Sequence, residues 1–289
     1  MGGGTEQKKR RSLIVNADDF GLSRSVNRGI MDCHRSGIVT SVSLLANGAA
    51  FDDAVGYLKN SPQLGTGVHL NILRGRPVAE KRLISHLIRD DHFDMQWPWF
   101  FFRLTKNVLA EIATEYRAQI EKILKANIRI THLDGEKHHH GFPPLFEIVV
   151  QLAKEYSIGA VRLANEKPRL EHGGKFFKMA PFFLFSFFNK NKLRSAGIKS
   201  ADHQAGIGIT GRINDWNFGK LLASLPYGVT ALCCHPGYID KFHGEEVKDF
   251  GSYYIDRSRD TEVRILTDEG IKQEILRRGI ELINYGDLR

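Results

Sequence analysis

Two aspartates stand side by side at the end of a mostly apolar run, and this pair limits most strongly what the chain can fold into. The run over residues 13–17 leads directly into Asp18 and Asp19, and Gly21 follows. An apolar run that ends at a turn signal is typical of a buried parallel strand, so the two carboxylates lie where that strand leaves the core. In α/β folds, ligands bind at this edge. The pair alone fits a metal site and a helix cap for residues 24–36 equally well.

The composition is that of a folded protein from a reducing compartment. The chain has 289 residues, 42% of them apolar, which is enough for the core of one large α/β domain or two smaller ones. Its three cysteines, Cys33, Cys233 and Cys234, cannot form a disulfide framework. Residues 1–11 are glycine-rich and then basic, without the apolar core of a signal peptide. We therefore expect a disordered basic tail over 1–11, one domain over 12–289 and a cytoplasmic location.

Strand and helix patterns alternate along most of the chain. Apolar runs rich in branched residues predict strands, after the first, over 38–46, 64–70, 128–133, 159–163, 228–234 and 280–284. Helical spacing predicts helices over 24–36, 51–60, 107–126, 143–156, 214–225 and 267–279. Repeated units of this kind favour a parallel sheet, and their number favours an α/β, barrel-like (β/α) fold over a doubly wound sheet.

Two segments, at about 79–105 and 165–212, interrupt this alternation. The first is rich in aromatic residues and predicts a lid or substrate wall, with core packing as the alternative. The second contains a phenylalanine-rich run over 176–188, and eight lysines and arginines against two glutamates over 165–200. The run is too short to span a bilayer, which needs about 20 apolar residues. Aromatics flanked by cations predict peripheral membrane contact through 170–195 or, equally, an insertion folded over the barrel.

Polar residues follow four of the predicted strands. Asp18 and Asp19 end the first strand, His69 ends the third, and His132 to His140 and His235 follow two later strands. Any one of these histidines, taken alone, could equally be a buried structural residue or a metal ligand. Together, at the ends of strands that meet on one barrel rim, they predict a mononuclear metal hydrolase. Imidazole and carboxylate ligands suit zinc, iron, cobalt or manganese.

Four short motifs carry a resemblance to a known family. They are NADDFG at 16–21, GVHLN at 67–71, THLDG at 131–135 with the histidines behind it, and CHPGY at 234–238. In this order they resemble the motif set of the YdjC-like (ChbG-type) carbohydrate deacetylases, along nearly the whole chain apart from the two interrupting segments. The resemblance implies a barrel-like fold of the TIM/NodB-related type. It also implies metal-dependent removal of an acetyl group from an N-acetylated sugar.

The resemblance implies roles for individual residues. It makes Asp19 and His69 metal ligands and Asp18 the base, and we expect His235 to protonate the leaving amine. The family's third ligand is a histidine, and this chain has Glu136 at that position. Glu136 would shift the preference of the site towards magnesium or manganese, and His138 is the nearest substitute ligand. We expect one divalent ion, zinc, magnesium or manganese.

Three further residues are assigned to substrate binding. We expect Arg162 to bind the sugar or an attached phosphate, and Asp134 and His140 to lie beside it. Asp134 is also placed to orient a ligand histidine from behind. His140 is a second substitute for the missing metal ligand.

Three functions remain open from the sequence. The first is a deacetylase of small soluble N-acetylated sugars, and the second acts on a lipid-linked sugar at the inner face of a membrane through residues 170–195. The third is a non-catalytic carbohydrate or lipid-sugar binding protein, since Glu136 departs from the family pattern. No nucleic-acid partner is expected, and the sequence leaves open whether the chain forms a homodimer.

Overall fold

The computed structural model describes residues 10–95, 102–239, 249–250 and 256–288. Helices in these ranges are α1 Arg24–Arg35, α2 Phe51–Lys59, α3 Lys106–Lys125, α4 Pro143–Glu155, α5 Lys175–Ala196, α6 Asp215–Ala223, α7 Ser258–Leu266 and α8 Glu269–Arg277. Strands are β1 Arg11–Phe20, β2 Ser41–Leu44, β3 Gly65–Leu70, β4 Ile88–Arg89, β5 His92–Phe93, β6 His132–Gly135, β7 Ala160–Val161, β8 His203–Ala205, β9 Gly228–Cys234 and β10 Ile280–Leu282.

The main sheet is parallel and curls towards a barrel. Its strands follow the order β7, β6, β3, β2, β1, β9 and β8, and β10 pairs with the first residues of β1. A parallel bridge between Ala160 and Lys199 joins the β7 edge to the segment that leads into β8, the opposite edge. The α/β, barrel-like fold expected from the sequence is therefore confirmed, as a curled half-barrel with helices between its strands.

Alternation along β1 decides which side chains enter the barrel. Successive side chains of a strand point to opposite faces. Leu13, Val15 and Ala17 pack in the large outer core, whereas Ile14 belongs to a small inner cluster. The same alternation carries Asn16 and Asp18 to the inside, where Asn16 Nδ2 donates to Asp18 Oδ1 across 2.8 Å. β1 thus delivers a carboxylate to the end of the barrel interior.

Several predicted boundaries differ from the structure. The strand predicted over 128–133 is β6 at His132–Gly135, so it runs into the Asp-Gly pair that was predicted to follow it. Strand β2 covers only Ser41–Leu44 of the predicted 38–46. Helix α7 was not predicted, because its N-cap residue Arg257 offers no side-chain hydrogen bond and leaves no start signal in the sequence. The predicted 228–234 matches β9 in full.

The interrupting segments also differ from expectation. The predicted insertion at 165–212 contains β8, which pairs with β9 in the main sheet, as well as α5, a single helix of 22 residues. The segment 79–105 contains the antiparallel pair of β4 and β5, and its residues 96–101 lie outside the described residues. The tail predicted over 1–11 overlaps strand β1 by one residue, because β1 begins at Arg11. Residues 1–9 lie outside the described residues.

Two glycines in helices, Gly29 in α1 and Gly56 in α2, allow a test of how closely α1 packs against the loop after β9. A Cβ on Gly29 would lie 2.7 Å from Gly237 Cα, whereas a Cβ on Gly56 in α2 has nothing within 4 Å. Alanine at position 56 should raise the free energy of unfolding by about 0.5–1 kcal/mol, because alanine favours helices. Gly29→Ala should lower it by about 1–3 kcal/mol through overpacking. Urea titration measures both, and equal changes would contradict this packing.

Candidate functional site

A sharp turn of the backbone inside the last residues of β1 separates the two aspartates, where the register of β1 against β2 shifts between Ala17 and Phe20. Asp19 has a φ of 66°, so the backbone turns sharply between the two side chains. Leu22 N donates to the carbonyl of Asp19 across 3.1 Å, and Gly21 N donates to Asn27 Oδ1 across 2.7 Å. Both aspartates are buried, each 2% exposed. The turn keeps Asp18 inside the barrel and directs Asp19 to the neighbouring position at its mouth.

Asp18 is held by a buried arginine. Arg162 Nη1 and Nη2 donate to its two carboxylate oxygens, each across 2.7 Å. Asn16 donates to Oδ1, and the Cys233 thiol donates to Oδ2 across 3.1 Å. Burial alone would raise the pKa of Asp18, but Arg162 outweighs it and holds the pKa well below its usual range. Asp18 is therefore a fixed carboxylate.

The same arginine holds a second aspartate. Arg162 Nη2 lies 2.6 Å from Asp134 Oδ2, and Ser43 Oγ donates to that oxygen across 2.5 Å. Arg162 and Asp134 are 1% and 0% exposed. Two buried carboxylates thus share one guanidinium, whose planar group of donors suits paired oxygens.

His69 lies between the aspartates. Its Nδ1 is 2.8 Å from Asp134 Oδ1, and its Nε2 is 3.8 Å from Asp19 Oδ1. Burial would lower the pKa of His69, but Asp134, Asp18 and Asp19 outweigh it and raise the pKa to about 9. The carboxylates therefore favour a positive charge on or beside this ring, which is the environment that a bound cation also requires.

A cavity of about 310 Å³ opens at this end of the barrel. Its lining includes the predicted site residues Asp18, Asp19, His69, Glu136, His138 and His235. Lysines 137, 175 and 178 also line the cavity, together with Met179 and Phe182 from α5. The structure thus gathers the residues of four predicted strand ends around one cavity.

Glu136 and His138 reach the cavity from the turn after β6. Glu136 Oε1 forms an ion pair with Arg74 Nε at 3.4 Å. His138 adopts a φ of 58°, which turns it away from the helical path, and its buried Nδ1 has no hydrogen-bond partner among the described residues. A buried imidazole nitrogen without a partner fits a metal ligand, since a neutral imidazole has a lone pair to donate.

The described part of the chain contains two groups of three side chains that could hold a metal ion. Within each group, the three ligating atoms lie within 4.8 Å of one another. The groups are Asp18 with His69 and Asp134, and Asp18 with Cys233 and His235. In the first group, Arg162 already bonds both aspartates and His69 Nδ1 already faces Asp134. That group is therefore a poor place for a second cation. The free edge of His69, Nε2, faces Asp19 instead.

The pair of Asp19 and His69 fits a divalent ion by its donor chemistry. Two atoms that ligate one zinc ion lie about 3.5 Å apart, close to the 3.8 Å observed between Asp19 Oδ1 and His69 Nε2. The carboxylate of Asp134 behind His69 fixes the ring so that Nε2 faces the cavity. The remaining oxygen of Asp19 bonds Arg259.

The three residues expected to bind substrate are buried behind the residues that line the cavity. Arg162, Asp134 and His140 are buried and are not among the residues that line the cavity. Arg162 supports Asp18, Asp134 supports His69, and His140 Nε2 donates to the carbonyl of Arg162 across 3.0 Å. In these buried positions the three residues hold other site residues in place, and their contact with the sugar stays a prediction. His132 is likewise structural, with its ring stacked on Tyr285 at 3.8 Å.

Sequence reasoning missed two residues that contact the aspartates. Arg259 lies on the unpredicted helix α7, and nothing in the local sequence marked it. Cys233 was considered only for disulfides, although it lies in β9 two residues before His235, and in extended backbone this spacing directs both side chains to the same side. That spacing could have identified Cys233 as a neighbour of the site.

Comparisons with known proteins find similar chains over nearly the whole length of this one. The family model described as YdjC-like protein matches residues 12–277. A carbohydrate deacetylase from Brevibacillus brevis is 32% identical over 278 residues, which cover 96% of this chain and 99% of that protein. A chitooligosaccharide deacetylase from Salmonella paratyphi B is 32% identical over 282 residues, with the same coverage. A crystal structure from Enterococcus faecalis V583, provisionally described as a cellobiose-phosphate cleavage protein, has a TM-score of 0.76 at 26% identity and covers 96% of this chain and 98% of its own.

Replacing Arg162 tests the buried ion pairs. Arg162→Met leaves Asp18 and Asp134 without their cation and should lower the free energy of unfolding at pH 7 by about 3–5 kcal/mol. The matched control is Arg117→Met, because Arg117 pairs at the surface with both oxygens of Glu155. The control should cost about 0–1 kcal/mol. Urea titration of the three proteins gives both values.

The pH dependence of that loss has a definite sign. Since the pKa of Asp18 is held below its usual range, the pair contributes stability above a pH of about 4 and loses it as pH falls through the lowered value. Without Arg162, burial raises the pKa of the unpaired carboxylate, which then takes up a proton at higher pH. The difference between wild type and Arg162→Met should therefore shrink from pH 7 to pH 4, and a growing difference would contradict the assignment.

Proposed function

Because the chain belongs to the YdjC-like family, we propose that it is a carbohydrate deacetylase that uses a divalent metal ion to remove an acetyl group from an N-acetylated sugar. The observation that carries this proposal is the pair of Asp19 Oδ1 and His69 Nε2, which lie 3.8 Å apart at the cavity with the carboxylate of Asp18 beside them. A ligand pair next to a carboxylate base is the arrangement that amide hydrolysis by an activated water requires.

Asp19 and His69 would hold the metal, with Glu136 or His138 as the third ligand. All four residues line the cavity. A divalent ion bound there would lower the pKa of a water molecule and polarise the amide carbonyl. Zinc suits a set that includes His138, whereas a set with Asp19 and Glu136 shifts the preference towards magnesium or manganese.

Asp18 is proposed as the base that takes the proton of the attacking water. Its four lone-pair positions are occupied by two donors from Arg162, one from Asn16 and the thiol of Cys233. The thiol is the weakest of these donors, so the lone pair of Oδ2 that it occupies is the one that a water molecule can take. Arg162 holds the carboxylate in place during the exchange.

His235 is proposed to pass the proton to the leaving amine. Its Nε2 lies 3.9 Å from Asp18 Oδ2, and burial lowers the pKa of His235 to about 4, although Asp19 and Asp18 act in the opposite direction. The imidazole is therefore neutral before the reaction and can accept the proton from Asp18. As the bond between carbon and nitrogen breaks, His235 donates this proton to the amine, and acetate is the second product.

Three substitutions separate the base from the ligands. Asp18→Asn should lower amine release at least about 100-fold while the protein keeps its metal, because base catalysis is lost and the ligands remain. Asp19→Asn and His69→Ala should both lose metal after dialysis. Metal analysis beside amine release from N-acetylated sugars measures this, with the exposed Asp52→Asn as the control.

The outcome also decides between an enzyme and a binding protein. Equal loss of metal in all three variants would reject Asp18 as the base. A wild-type protein that binds metal and sugar but releases no amine would contradict the enzyme and support the non-catalytic alternative. Thermal unfolding of each variant shows whether the loss concerns the fold or the chemistry.

Glu136 and His138 are distinguished by the same metal measurement. If Glu136 is the third ligand, Glu136→Ala should weaken metal affinity about 10-fold or more, on the scale of losses at metal sites, and Glu136→His should retain it. His138→Ala should then have little effect. The reverse result, with affinity lost only in His138→Ala, would make His138 the third ligand.

A second candidate function, deacetylation of a lipid-linked sugar, is favoured by the outer face of α5. Met179, Ser186, Asn189 and Leu193 form the buried stripe of this helix. On the opposite side, Phe177, Leu184, Phe187 and Phe188 are 79%, 59%, 57% and 68% exposed. Among the described residues, no helix is long and apolar enough to cross a membrane. An exposed aromatic face of this kind fits binding at a bilayer surface.

The helix also connects that face to the cavity. Lys175, Lys178, Met179 and Phe182 of α5 line the cavity, and each lies within two residues of the exposed Phe177 or Leu184. A sugar headgroup in the cavity would therefore lie next to the surface that holds its lipid. We propose that the protein binds an anionic membrane surface through residues 170–195, where it deacetylates a lipid-linked N-acetylated sugar.

Vesicle binding tests this second candidate. Burial of a phenylalanine contributes about 1.5–3 kcal/mol when complete, and each nearby lysine about 1 kcal/mol at an anionic leaflet. Sedimentation with anionic vesicles should show binding that falls with salt. Changing Phe177, Leu184, Phe187 and Phe188 to serine should abolish it. The control changes exposed residues elsewhere, Trp216→Ser and Leu276→Ser, and wild-type protein that stays unbound at low salt would reject the proposal.

A further inference from the structure

A second group of metal-ligating atoms lies at the wall of the cavity, which Asp18 and His235 line. Cys233 Sγ lies 3.1 Å from Asp18 Oδ2, and His235 Nε2 lies 3.9 Å from the same oxygen. All three ligating atoms lie within 4.8 Å of one another. The roles proposed above use Asp18 and His235 for proton transfer, and they use the Cys233 thiol only as the donor that a water molecule displaces from Asp18 Oδ2.

The donor set has a definite chemical preference. Thiolate sulfur and imidazole nitrogen together with one carboxylate oxygen suit zinc and the softer cadmium, and they do not suit magnesium. Atoms that ligate one tetrahedral zinc ion lie about 3.5 Å apart. The two measured distances fall on either side of that value, so small side-chain movements would suffice.

An ion can reach this group from the cavity. Asp18 and His235 line the cavity, and the His235 side chain is 15% exposed. Cys233 is 1% exposed and lies behind them, with its thiol hydrogen directed at Asp18 Oδ2. The position between sulfur and oxygen is therefore already defined, and a proton occupies it.

We propose that Asp18, Cys233 and His235 form a second, inhibitory site for a soft divalent ion such as zinc or cadmium. On binding, the bond between sulfur and hydrogen breaks, the proton leaves to solvent, and a bond between metal and sulfur forms. The ion then occupies the lone pair of Asp18 that the base needs and the imidazole that passes the proton on. Inhibition rests on the proposed function, whereas binding of the ion does not.

The environment makes this the weaker of the two metal sites. Arg162 Nη1 lies 3.9 Å from the sulfur and 2.7 Å from Asp18 Oδ2, so an entering ion meets a fixed positive charge. Burial and the carboxylate of Asp18 raise the pKa of the Cys233 thiol well above its usual value, and Arg162 opposes this only in part, so an entering ion has to displace the thiol proton. Occupancy therefore requires excess metal, after the site of Asp19 and His69 is filled, and the effect is inhibition at high concentration of the ion.

Cadmium titration of the purified metal-loaded protein tests the site. A cadmium–thiolate bond produces an ultraviolet charge-transfer band, which cadmium at Asp19 and His69 would not produce because that site has no sulfur. Wild type should develop a band for one cadmium ion per chain. The matched control is Cys234→Ser, because Cys234 is the next residue of β9 and its thiol donates to the carbonyl of Asn16 on the other face.

We expect a different cadmium titration from each of three variants. Cys233→Ser should lose the band, and cadmium or excess zinc should then inhibit amine release only at concentrations at least about 10-fold higher, relative to the variant's own uninhibited rate. His235→Ala, which retains the thiol, should develop the band only at about 10-fold more cadmium. Cys234→Ser should behave as wild type.

Two results would overturn the proposal: no band in wild type, or a band that persists in Cys233→Ser. If Cys233→Ser does not fold, the shift in His235→Ala decides the question in its place. A band that depends on Cys233 supports the site even in a protein that releases no amine, so failure of the proposed function is seen separately. A band without inhibition would support the site and reject Asp18 as the base.

Discussion

The rest of the site depends on one guanidinium shared by two buried carboxylates. Arg162 follows β7 and bonds both oxygens of Asp18 at the end of β1 and one oxygen of Asp134 in β6. Buried charges of this kind are costly unless every one is paired, so each member constrains the others. The arginine thereby fixes the ends of three strands relative to one another and holds an excess of negative charge at the mouth of the barrel.

That excess explains the two layers of the site. In the buried layer, hydrogen bonds and ion pairs link Arg162, Asp134, Ser43 and Asn16 to one another and hold Asp18, while Arg162 Nε and Asn16 Oδ1 have no hydrogen-bond partner among the described residues. In the upper layer, Asp19 and His69 face the cavity, where the field of the carboxylates raises the pKa of His69 to about 9 despite its burial. The lower layer needs no further cation, whereas the upper layer favours one. A metal ion would satisfy that preference, and this is the physical reason for assigning Asp19 and His69 as ligands.

Much of the barrel could be predicted from the sequence, and the failures have identifiable causes. Apolar runs located the central strands, and β9 matched its prediction in full, because buried parallel strands consist of continuous apolar residues. Strand β8 was missed because it has only three residues, His203 to Ala205, without an apolar run. Helix α7 was missed for want of a cap signal. Helix α5 lies in the segment that was predicted only as an aromatic and basic insertion, and it runs over Lys175–Ala196 with Pro181 inside it.

The sequence by itself determined which side chains reach the mouth of the barrel. The end of an apolar strand is local information, and so is the alternation that turns Asn16 and Asp18 inward. Only the tertiary structure decided what those side chains contact there. The sheet has to curl before Arg162, beyond β7, can reach across the interior to Asp18, and a helix without a sequence signal has to fold before Arg259 can reach Asp19. Pairings between residues 144 and 240 positions apart depend on how strands and helices assemble, and no local pattern contains that information.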